Sequence, residues 1–128
     1  MFNFRVIPLA ATLAVSGAAL AVVPIASAKG GEGVRVRGVC TQSSTAKLKL
    51  SREDGRIEVE FEVDQNRNGV PWKVTVRRNG SLVASKTATT HAPSGSFSLR
   101  RVISGTQGTV VALATRSSGE RCTAQASI

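Results

Sequence analysis

The chain has 128 residues, with 17 Lys and Arg against 8 Asp and Glu, a formal charge of +9, two Cys, one His, one Trp and no Tyr. Two cysteines and one histidine are too few for a closed Cys/His zinc site, and so few aromatic residues leave little surface on which nucleic-acid bases could stack. The excess of positive charge favours polyanions at low salt, although it would serve solubility equally well.

Residues 1–28 have the plan of a secretory signal peptide. A short leading segment carries Arg5, an apolar run covers 6–25, and Ala26-Ser27-Ala28 offers small residues where signal peptidase cuts. The apolar run is nearly long enough for an uncleaved anchor, but Pro24 and the A-x-A site favour cleavage after Ala28. The expected mature protein is residues 29–128, a single freely secreted domain. Of the charged residues only Arg5 leaves with the signal, so the formal charge falls by one, from +9 to +8.

The stretch 29–33 (KGGEG) reads as a flexible lead-in. Strands are expected at 34–41, with Arg35 and Arg37 outward, and at 46–51, with Lys47 and Lys49 outward. Asp54-Gly55 is a two-residue hairpin signal. In 57–64 the alternation has no fault: Ile57, Val59, Phe61 and Val63 on one side, Glu58, Glu60, Glu62 and Asp64 on the other. A two-residue turn at Asp54-Gly55 sets Lys49 against Glu60, Lys47 against Glu62, Leu48 against Phe61 and Leu50 against Val59. Turn chemistry and both faces therefore agree.

The next strand, 72–78, carries Trp72, Val74 and Val76 inward. Asn79-Gly80 turns it into 81–87, where the simple register puts Val76 opposite Val83 and Lys73 opposite Lys86, a like-charged rung. Strands follow at 95–103, with Phe97 and Leu99 inward, at 109–116, apolar on both faces, and at 120–128. Short strands at this spacing, with no helical period after residue 28, predict an all-β protein. Two antiparallel layers would bury both apolar faces, as a two-layer β-sandwich. The expected core is Ile57, Val59, Phe61, Trp72, Val74, Val76, Phe97 and Leu99. With so few large residues a staple would help, and Cys40 and Cys122, the only cysteines, are expected to form a disulfide in an exported protein.

The stretch VALATRSSGE at 111–120 resembles the last hairpin of immunoglobulin-like domains, and Trp72 followed by alternating valines resembles their third strand. The resemblance implies an immunoglobulin-like sandwich. Ala112 stands where antibody-type domains have a cysteine, and the usual core Tyr is missing. Through the signal peptide and VEFEVDQNRNG the whole chain also resembles small secreted proteins of actinobacteria, a likeness that transfers no activity.

Few residues suggest chemistry. Asp64-Gln65-Asn66-Arg67-Asn68-Gly69 matches the opening of a calcium loop, with Asp64, Asn66 and Asn68 as candidate ligands. Thr75 stands where the bidentate Glu is required, so a tight inter-strand loop is the better reading. His91 has no nucleophile context around it, and the glutamates of 57–64 lack a facing cleft. No cofactor is expected and the protein reads as a non-enzyme. The expected function is weak binding of an anionic cell-wall polymer or lipid headgroups, with nucleic acid disfavoured. The candidate residues are Lys73, Arg77, Lys86, Arg116 and Arg121, assigned to the sheet of Trp72 because most acids lie on the other. The alternative is a structural or protein-interaction module with no polyanion ligand.

Overall fold

The computed structural model describes residues 33–128; the signal peptide expected at 1–28 lies outside the described residues. Nine strands lie among the described residues: β1 Val34–Arg37, β2 Val39–Cys40, β3 Thr45–Glu53, β4 Arg56–Asp64, β5 Pro71–Arg78, β6 Ser81–Thr89, β7 Ser96–Ser104, β8 Thr109–Thr115 and β9 Arg121–Ser127. They form two antiparallel sheets, β1-β3-β4-β7 and β2-β9-β8-β5-β6, packed face to face as a sandwich. Among the described residues no helix is long and apolar enough to cross a membrane.

The β3–β4 hairpin follows the expected register, with Lys49 opposite Glu60, Lys47 opposite Glu62, Leu48 opposite Phe61 and Leu50 opposite Val59. Asp54 and Gly55 take the positive φ values of 49° and 72° that a type I′ turn requires. Every residue of the expected core is buried, and Val34, Leu48, Leu50, Val63, Ile103 and Val110 join it. Phe97 links the other two aromatic rings, with ring centroids 6.5 Å from Phe61 and 6.1 Å from Trp72. The Trp72 Nε1–H donates to Gln65 Oε1 at 3.1 Å, so the buried indole leaves no polar atom unpaired.

Two expectations are corrected. The first strand is not continuous over 34–41. Gly38 divides it: β1 pairs with β3 in the first sheet and β2 with β9 in the second. A Cβ on Gly38 would lie 2.7 Å from Thr123 O and 2.9 Å from Ala46 Cβ. Only a residue without a side chain lets the backbone pass so close to both sheets. The β5–β6 register is also not the simple one. Arg77 faces Leu82 but Val76 faces Ala84, with the irregularity between Val76 and Arg77. Val83 is thus the extra residue of a bulge. The shift sets Lys73 opposite Thr87 and Val74 opposite Lys86, removing the like-charged rung.

Cys40 and Cys122 form the disulfide, 82 positions apart in sequence. They are direct partners across β2 and β9, so the bridge lies within the second sheet and ties the start of the domain to its last strand.

Candidate functional site

The outer face of the second sheet was the expected polyanion site, and the structure divides its five residues. Lys73, Arg77 and Arg121 are exposed on that face, among Thr75, Thr115, Thr87 and Thr123. Lys73 and Arg121 both pair with Thr115 from opposite sides, two strand spacings or about 10 Å apart. Arg77 is four residues along β5 from Lys73. These cations are dispersed rather than clustered. One exposed apolar side chain lies at each edge of the face, Val39 on β2 at 65% and Leu82 on β6 at 52%.

Lys86 is not on this face. It pairs with Val74, whose side chain is in the core, so Lys86 stands on the inner side of β6, where the edge strand overhangs. The bulge at Val83 put it there. Arg116 is half-buried and committed to Glu120: its Nε donates to Glu120 Oε1 at 2.9 Å, its Nη2 donates to Gln42 Oε1 at 3.1 Å, and its guanidinium lies 5.6 Å over the Trp72 ring.

Glu120 has no exposed surface, a position that charge counting along the sequence does not reveal. Its Oε2 accepts from Ser44 N at 3.0 Å and its Oε1 from Ser44 Oγ at 2.8 Å. Burial alone would push its carboxyl up, but the donors from Ser44 and Arg116 outweigh it and hold the pKa below the ordinary 4.5. The cluster of Ser44, Arg116 and Glu120 locks the β2–β3 turn onto the β8–β9 hairpin.

On the outer face of the first sheet the pairing of β1 with β3 was decisive. Arg35 faces Lys49 and Arg37 faces Lys47, so two consecutive outward rungs are like-charged. Beyond β3 come Glu60 and Glu62 on the same rungs. Arg100 of β7 lies 3.0 Å from Glu58 and 3.4 Å from Glu60. Lys47 reaches Glu62 at 3.5 Å. Among the described residues Arg35, Arg37 and Lys49 have no ion-pair partner. A groove of about 400 Å³ lies over this grid, lined by Arg35, Arg37, Lys47, Lys49, Glu60 and Glu62 together with Val36 and Leu48. Sequence reasoning set this sheet aside because most of the acids lie on it, and gave the first strand no neighbour.

The loop after β4 has a structural explanation. Asp64 Oδ1 accepts from Asn66 N at 3.0 Å, closing an Asx turn, and Asn66 takes a positive φ of 59°. Buried Thr90 pins the loop from the other side: its Oγ1 donates to Arg67 O at 2.6 Å and accepts from Val70 N at 3.0 Å. His91 is exposed at the start of the following turn, its Nδ1 3.1 Å from Ala92 O. Comparison of the chain with protein families, curated proteins and solved structures gave no match.

Proposed function

We propose that the protein is a secreted, non-enzymatic module of immunoglobulin-like connectivity that binds an anionic polymer along β1 and β3. Sheet membership supports the fold assignment. β3, β4 and β7 occupy one sheet and β5, β8 and β9 the other, as strands A, B, E and C, F, G do in that fold, with Trp72 on the strand in the C position. β1 and β2 are then an added N-terminal strand that flanks both sheets. A disulfide suits export.

The observation that carries the binding reading is the pair of like-charged rungs, Arg35 with Lys49 and Arg37 with Lys47. Like charges directly opposite are destabilising, and among the described residues only Lys47 of these four has a carboxylate of its own. A bound anion would reverse that cost, and an extended one would span both rungs.

The test compares two variants of equal charge change, Arg35→Glu with Arg37→Glu and Lys73→Glu with Arg77→Glu. The first should lower affinity for an anionic polymer at physiological salt at least tenfold, the second less than threefold. Equal losses would leave net charge as the only determinant and overturn a site on β1 and β3. The protein-interaction reading rests on the exposed Val39 and Leu82 at the two edges of the face that carries Lys73, Arg77 and Arg121; it gains ground if the wild type binds no polymer.

A further inference from the structure

We infer that the polymer taken up along β1 and β3 is a thin phosphodiester chain with three-carbon polyol spacers, an inference that rests on the binding reading above and names its ligand. Three features of the groove select it: pitch, width and lining.

Arg35 and Arg37 are two residues apart on one strand, as are Lys49 and Lys47 on the next. Same-face neighbours on a strand repeat at about 6.8 Å, and adjacent strands lie about 4.8 Å apart. Each rung therefore offers one guanidinium and one ammonium to a single anion, and the next rung offers the same one pitch further on. A guanidinium holds two oxygens of a phosphate in parallel hydrogen bonds, and a lysine adds a point charge. In a phosphodiester with a three-carbon spacer six bonds of about 1.5 Å separate successive phosphorus atoms, and their extended zigzag advances about 7 Å. A five-carbon spacer overshoots this pitch unless it coils. In a polyuronate the carboxylates sit on rigid rings that alternate sides, so one face presents only every second charge.

Width decides between a chain and a surface. The cationic lane is two strands wide and is bounded by the carboxylates of β4, Glu58, Glu60, Glu62 and Asp64. An anionic bilayer laid on this sheet would press against that column, whereas a single chain lies beside it. Glu60 and Glu62 line the same groove and accept hydrogen bonds from the spacer hydroxyls, which a polyol carries. Phe61, Trp72 and Phe97, the aromatic residues of the described chain, are all buried, so nucleic-acid bases would find no stacking platform. The lane ends where Gly38 leaves the sheet, so it holds two phosphates. If two phosphates are neutralised, the logarithm of affinity should fall with that of salt, with a slope shallower than the roughly −1.4 that two phosphates of a more densely charged nucleic-acid single strand would give.

The experiment measures binding of the disulfide-bonded protein, by calorimetry or fluorescence anisotropy at physiological salt, to five probes. These are poly(glycerol phosphate), poly(ribitol phosphate), polygalacturonate, a single-stranded oligonucleotide and phosphatidylglycerol vesicles, matched in charge. Poly(glycerol phosphate) should bind at least tenfold tighter than polygalacturonate, the oligonucleotide or the vesicles. It should bind at least threefold tighter than the ribitol polymer. Removing one rung, Arg35→Ser with Lys49→Ser, should cost at least tenfold and shift the amide resonances of β1 and β3 alone. Equal binding of phosphate and carboxylate polymers, with the rung variant still defective, would overturn the phosphodiester assignment and leave the polyanion site standing. Tightest binding to vesicles or oligonucleotide would overturn the thin-chain occupant. Binding to no probe would overturn both readings.

Discussion

A carboxylate with no exposed surface is kept charged at Glu120 by Ser44 N, Ser44 Oγ and the Arg116 guanidinium. The cluster contributes to stability through its pH dependence. Because the folded pKa is lowered from 4.5, its contribution is fully present above that value and is lost as pH falls through the folded value. Glu120→Gln should therefore flatten the acid limb of the melting-temperature curve relative to wild type, and an unchanged limb would place the acid sensitivity elsewhere. Glu120→Ala leaves a half-buried arginine without its partner and should cost about 3 kcal/mol in urea denaturation. Sequence reading could not find this residue as a buried one. Glu120 follows a Gly-containing turn that reads as solvent-exposed, and its main partner Ser44 is 76 positions away.

At the scale of strands, the β6 and β7 edges of the sandwich are guarded by inward-facing cations. Lys86 on β6 pairs with Val74 and Arg101 on β7 pairs with Val59, both core residues, yet Lys86 and Arg101 are exposed. β6 ends the second sheet and β7 the first. A charge on the inner side of an edge strand discourages a further strand from adding there, and the bulge at Val83 adds twist to the same effect. Lys86→Val with Arg101→Val should leave the melting temperature equal to or above wild type while accelerating aggregation, measured by light scattering below that temperature. Unchanged aggregation would mean that the edges are protected by other means. The contrast between the two hairpins shows what was legible. At Asp54-Gly55 turn, charge and apolar faces all favour one register, and the structure has it. At Asn79-Gly80 the turn is right but the simple register put Lys73 against Lys86. The bulge that resolves this depends on contacts across the sheet, which no local pattern encodes. Gly38 was equally hidden, since alternation continues on both sides of it although the chain changes sheet.

For the molecule as a whole, the two-layer architecture and the core followed from period-two patterning, whereas the distribution of charge did not. Allocating cations to faces requires knowing which strand lies beside the first one. Once β1 is placed next to β3, the densest positive patch moves from the sheet of Trp72 to the opposite sheet. The disulfide belongs to this scale as well. Closing a loop of 82 positions should stabilise the fold by about 4.5 kcal/mol on chain-entropy grounds. Cys40→Ser with Cys122→Ser should accordingly lower the melting temperature by more than about 15 °C. A drop of only a few degrees would show that backbone pairing of β2 with β9 suffices without the bridge. Titration of unreduced, unfolded wild type should find no free thiol.

The passage of the first strand from one layer to the other has a mechanical meaning. β1 is bonded to the first sheet, β2 to the second, and Gly38 is the short link between them. Sliding one layer over the other would have to peel one of these segments away, and Cys40 anchors the far end. The segment acts as a strap that resists shear between the layers. Arg35 and Arg37 sit on an edge strand, where fraying would ordinarily blur the spacing of their charges. Strapped at one end, that edge keeps its charges at a fixed pitch before any ligand arrives, so less ordering entropy is lost on binding.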